Sequence, residues 1–212
     1  MKFKCNNKVI FLLFYIFIIS CSKPEPAGIY SQQIDVLSEP VQNVIEPEVI
    51  KTDEYNEFNW ILTAVKEYEL SGIIRGIKTY RSGWKAHFCP LDICITWGDL
   101  NTSEVEKYIR YSQSGRWYYY RFKAGCPVDK IYIESHASNN HIIPDNENIL
   151  KAIKSAKKGN KIVLKGYLVN LLGEKGEAKY WWNSSLSRND RGDGSCEVFY
   201  VTEVIHANKI YN

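Results

Sequence analysis

From Tyr55 to its end the chain is cut into short runs dense in tryptophan, tyrosine and β-branched residues, each closed by glycine, serine or asparagine. Such side chains suit a pleated, half-buried surface, and the closing residues supply turn conformations, so strands dominate whatever folds here. The runs are Leu70–Tyr80, with Gly72 and Gly76 as bends, then Arg116–Phe122, Lys130–Ser135 and Lys161–Val169 with Gly166 inside, followed by Lys179–Trp182 and Cys196–Ile205. Asn59–Val65 fits strand or helix, and two apolar pieces flank Pro90. Thr102-Ser103 ahead of Glu104 and Glu106 predicts a helix reaching Tyr111. Pro144-Asp145 opens a second, with Ile149, Leu150 and Ile153 at helical spacing and Lys157-Lys158-Gly159 at its end. The expectation is an α+β domain, mostly β, a small β-barrel or sandwich with two or three helices.

The first residues follow another logic. Lys2, Lys4 and Lys8 precede an apolar run from Val9 to Ser20. As a helix that run spans about 18 Å, against a hydrocarbon core of about 30 Å, so it reads as a secretory leader rather than an anchor. Its last residues, Ile18-Ile19-Ser20-Cys21, resemble a bacterial lipobox. The resemblance implies cleavage before Cys21, lipid on its sulfur and firm membrane attachment, because several acyl chains on one cysteine anchor stably. Ser22 stands where Asp would favour the inner membrane, so the periplasmic side of the outer membrane is expected. Residues 1–20 are then a signal peptide and 55–212 a single globular domain. Residues 21–54, with Pro24, Pro26, Pro40 and Pro47 and seven acidic residues against two basic ones, read as an acidic tether.

Loss of the three leader lysines takes the formal charge from +3 to neutral. That disfavours nucleic acid as a partner, since such binding asks for a pronounced basic face. Cys89, Cys94, Cys126 and Cys196 remain in an oxidising compartment, which suggests two disulfides. Four cysteines allow three pairings and sequence does not choose among them; Cys89–Cys94 and Cys126–Cys196 are expected, because a five-residue separation closes a local loop. A zinc site is disfavoured: no C-x2-C and no paired histidine completes a ligand set. Neither a metal nor a cofactor is expected.

Two stretches are site-like. Ser135-His136-Ala137-Ser138-Asn139-Asn140-His141 places two histidines at a strand-to-helix connection, where function concentrates. The competing reading is an imidazole that merely hydrogen-bonds a tight connection. The second, Ser184 to Gly194, holds Ser185 and Arg188 and the triplet Arg191-Gly192-Asp193, and it is a poor calcium loop. His141 or His136 with Ser185 or Cys196 would make a hydrolase, provided that a nucleophile meets an imidazole. Trp117, Tyr119, Trp181 and Arg188 are candidate binding residues, since aromatic platforms beside cations grip glycans and single strands. The bland alternative is a strand whose alternate aromatics face the core.

A helix, then Gly159-Asn160, then a long strand with Gly166 inside it, resembles the way small barrels of the oligonucleotide-binding type begin, over about residues 147–205. That implies a small β-barrel and no activity by itself. The text from Ser135 to Glu197 resembles bacterial envelope proteins that lend no activity. The expected function is therefore a non-catalytic binding or assembly module for an envelope protein or polymer. Its rivals are the hydrolase and single-strand nucleic-acid binding.

Overall fold

The computed structural model describes residues 22–187, 192 and 194–212. The leader, Cys21, Arg188, Arg191 and Asp193 lie outside the described residues. No helix among the described residues is long and apolar enough to cross a membrane.

Five strands close into a barrel: β3 (Phe58–Thr79), β4 (Leu91–Thr96), β7 (Ala137–Pro144), β8 (Lys161–Lys175) and β10 (Glu197–His206). Around the ring the order is β3-β4-β7-β10-β8, and β8 closes it by pairing with both β10 and β3. Only β7 and β10 are parallel; the other neighbours are antiparallel. The inner face is apolar, with Leu70, Ile93, Ile142, Leu164, Phe199 and Val201 fully buried. Helix α4 (Glu147–Ser155) joins the third and fourth barrel strands and packs Ile149, Ala152 and Ile153 onto that core. Its N-cap is Asn146, whose side chain accepts from the Ile149 N–H at 3.0 Å. The domain is thus α+β and mostly β, with four α-helices among the described residues rather than two or three.

β3 and β8 run on past the barrel. There β2 (Val41–Tyr55) pairs with β3, and β9 (Ala178–Asn183) pairs with β8. The extension buries Trp60, Leu62 and Leu171 beneath helix α1 (Trp84–Phe88), with Trp60 stacked on Trp84 at 4.8 Å. A separate hairpin, β5 (Ile109–Ser114) and β6 (Trp117–Phe122), lies against the outer face of the barrel.

Several expectations change. Residues 22–54 are not a free tether. β1 (Gly28–Ile29) pairs with β11 (Lys209–Tyr211), Ile34 and Val36 are buried against Val163 and Ile205, and β2 covers an edge of β3. The prolines do not prevent this: Pro47 falls where the β2 register shifts, on an edge that asks for no donor. Glu39 pins the segment, accepting from Trp97 Nε1 at 2.8 Å while its other oxygen lies 2.8 Å from His136 Nε2. Lys130–Ser135 is helix α3 and not a strand, because Asp129 caps it at Tyr132 N and only Ile133 is buried. The helix expected to reach Tyr111 shrinks to α2 (Ser103–Glu106), and Ile109 already begins β5.

No disulfide joins any two of Cys89, Cys94, Cys126 and Cys196. Closeness in sequence does not bring Cys89 to Cys94. The first ends α1 in the Trp60 cluster, and the second sits on β4 opposite Asn139. Cys126 packs on the Leu100–Ile133 cluster, whereas Cys196 borders the cleft described below.

Gly166 marks the point where β8 crosses β10. Its φ is +153°, and a Cβ there would stand 2.0 Å from the Tyr200 carbonyl oxygen. Gly166→Ala should lower the unfolding free energy by roughly 2–4 kcal/mol through clash and backbone strain. Gly159→Ala, which meets open space at φ +90°, should cost about 1–2 kcal/mol. Urea denaturation of both variants checks the difference.

Candidate functional site

β4 explains the site. All six of its residues are buried. Leu91, Ile93 and Ile95 face the barrel core, so Asp92, Cys94 and Thr96 point outward by alternation. The β5–β6 hairpin covers them. Asp92 is completely buried, and its Oδ1 accepts from Arg116 Nη1 at 3.0 Å and lies 2.9 Å from His141 Nδ1.

Arg116 reaches Asp92 from the hairpin tip. Gly115 and Arg116 both take positive φ, 58° and 67°, as a two-residue turn matched to the strand twist requires. The Arg116 guanidinium lies 4.0 Å over the Tyr80 ring, and its Nη2 donates to the Cys89 carbonyl at 3.1 Å. Its backbone N–H donates to the Tyr80 hydroxyl, and its carbonyl accepts from Asn139 Nδ2, both at 3.0 Å. Gln113 Nε2 completes the seam by donating to Asn139 Oδ1 at 2.8 Å.

Because the guanidinium occupies the same oxygen, Asp92 acts as acceptor and His141 Nδ1 as donor. In the neutral imidazole the lone pair of His141 is then on Nε2. The ring is 4% exposed, packs 4.6 Å from Trp182 and lines an open cleft of about 570 Å³. Lys85 from α1, Arg116 and Trp117 from the hairpin, Trp182 from β9 and Cys196 before β10 line the same cleft. Lys85 Nζ lies 4.7 Å over the Trp182 ring and Arg116 Cζ 5.3 Å over it. No lining residue among those described is acidic.

The sequence candidates separate accordingly. His141, Cys196, Trp117 and Trp181 border one cleft. Trp181 comes from its edge strand, on the face of β9 opposite to Trp182, and is largely exposed. Tyr119 is half exposed on the hairpin away from the cleft. His136 belongs elsewhere. Its ring stacks on Tyr132 at 3.7 Å, and its nitrogens engage Tyr132 O and Glu39. Ser185 Oγ donates to Ser187 O at 3.0 Å and accepts from Ser187 N at 3.1 Å, which is a turn rather than a nucleophile poised on His141. Burial pushes the Cys89 thiol well up and the Cys94 thiol to about 12, so neither supplies a thiolate.

Sequence reasoning missed Asp92 and Lys85. Asp92 could have been found: a carboxylate inside an otherwise apolar strand demands a buried partner. Lys85 carried no such signal, since its place over Trp182 depends on β9.

Asp92→Ala should lower stability by about 3–5 kcal/mol, because it leaves a buried guanidinium without its carboxylate. Asp92→Asn should cost less, and urea unfolding measures both. Alkali supplies a second check. Burial, then the nearby Asp92 charge, raises the Tyr80 phenol from 10.0 to about 12. The folded state therefore holds this proton longer than the unfolded one. The contribution is complete below pH 10 and is lost as pH rises through about 12. Tyr80→Phe should flatten that decline between about pH 10 and about pH 12 in the urea midpoints.

No protein-family model matches this chain, and it matches no curated protein and no solved structure.

Proposed function

We propose that this chain is a lipid-anchored envelope protein whose barrel is a non-catalytic binding module, and that its cleft grips a ring-bearing unit of an envelope polymer. The observation that carries the reading is the cleft beside His141. It is walled by Trp117 and Trp182, carries Lys85 and Arg116, and is roofed by a hairpin bolted to the barrel through Asp92. Rigid aromatic walls with cations and one oriented imidazole suit recognition of sugar rings.

Position supports the same reading. The strand order and the place of α4 support the likeness to the barrel type that residues 147–205 resemble. Barrels of that type bind oligosaccharides and oligonucleotides on the second and third strands and in the flanking loops. The cleft draws Lys85 from the first connection, His141 from the third strand, and Trp182 and Cys196 from the last connection. This is an argument by analogy of fold. The neutral charge of the chain without its leader favours glycan over nucleic acid. The hydrolase reading keeps the Asp92–His141 hydrogen bond and Cys196 in the same cleft but loses Ser185 to its own turn.

Tryptophan fluorescence titrations of the purified protein test this. The probes are neutral and acidic oligosaccharides of about six sugar units and, separately, an oligothymidylate. At least one sugar should bind. Trp117→Ala should weaken it about tenfold or more while the thermal unfolding midpoint stays in place. Binding of the oligothymidylate alone, weakening steeply with salt, would replace the glycan by nucleic acid.

A further inference from the structure

Resting on the reading of the cleft as a sugar site, we propose that its ligand is an acidic sugar, with a hydroxyl donating to Nε2 of the neutral His141 imidazole and a carboxylate or phosphate received by Lys85. Two independent observations lead there. The first is His141. An imidazole 4% exposed, with Nδ1 committed to Asp92, has one remaining polar atom, and the ring lines the cleft. Asp92 orients the ring and fixes the tautomer, so Nε2 offers a lone pair. A buried acceptor of this kind selects a ligand that brings a hydrogen-bond donor, and a sugar hydroxyl is one.

The second observation is the charge of the walls. Arg116 is offset by Asp92 at 3.0 Å. Lys85 is different: its ammonium lies over Trp182 and Trp84, and no carboxylate among the described residues forms an ion pair with it. With no acidic side chain among the described lining residues, the cleft keeps one positive charge beside an aromatic wall. A neutral sugar would satisfy His141 and leave that charge unused. A sugar carrying an anionic group satisfies both groups at once.

The test compares a hexamer of galacturonate with the same hexamer after reduction of its carboxylates to alcohols, and with a mannose 6-phosphate oligosaccharide. Affinities are measured by isothermal titration of the wild type and of Lys85→Ala. Lys85 is exposed, so this substitution leaves the core intact. The acidic hexamer should bind at least about tenfold more tightly than the reduced one. Lys85→Ala should cost the acidic hexamer at least about tenfold more affinity than it costs the reduced hexamer. Preference for the galacturonate over the phosphorylated sugar assigns the anion as carboxylate, and the reverse assigns it as phosphate. Equal binding of the acidic and reduced hexamers, or an equal effect of Lys85→Ala on both, overturns the acidic-sugar assignment while sparing the sugar site. Failure of all three sugars overturns the sugar site itself.

Discussion

The carboxylate of Asp92 is the constraint around which the outer face of the barrel is arranged. A charge fully removed from water costs several kcal/mol unless it is paired and hydrogen-bonded. Its partners come from distant parts of the chain: Arg116 lies 24 residues on and His141 49 residues on. One buried oxygen therefore holds the hairpin tip down and orients the imidazole. Removal of Asp92 would leave both segments without their shared acceptor. The positive φ of Arg116 belongs to the same arrangement, since that turn aims the guanidinium inward.

The cleft exists because the barrel strands are longer than the barrel. β3 and β8 continue beyond the ring and carry β2 and β9 with them. That extension sets Trp182 beside His141, while α1 folds back from the end of β3 and lays Lys85 over the same indole. Gly166 lets β8 serve both parts, because only a residue without Cβ can pass the Tyr200 carbonyl so closely. The N-terminal segment closes the opposite side through Glu39, which joins Trp97 and His136. His136 thus belongs to the strapping of the fold, and His141 to the cleft, although five positions separate them.

Legibility in sequence followed the range of the interactions. Helix α4 and the following strand could be read because their signals are local: Pro144-Asp145 at the start, Ile149 and Ile153 at helical spacing, Gly159 at the stop. Lys130–Ser135 misled because Ile131 and Ile133 alternate as on one strand face, whereas the helix capped by Asp129 puts them on opposite sides, Ile131 exposed and Ile133 buried. The segment before Tyr55 misled because acidic residues and prolines suggest solvation, yet an edge strand tolerates both when its outer face meets water. The disulfide expectation rested on cysteine count and compartment, and neither says where the side chains point.

By itself the sequence determined the predominance of strands and the chemistry available to the chain: two histidines five positions apart, paired tryptophans, an arginine beside an aromatic run. Those are properties of composition and local pattern, and they survive any arrangement of the strands. The tertiary structure alone decided which of them meet. A hydrogen bond from His141 to Asp92, a lysine over Trp182 and a serine closed onto Ser187 all depend on strand order, register and face. A shift of one residue in register reverses every face. A site assembled from α1, two barrel strands, β9 and a hairpin is therefore not encoded in any one stretch of the chain.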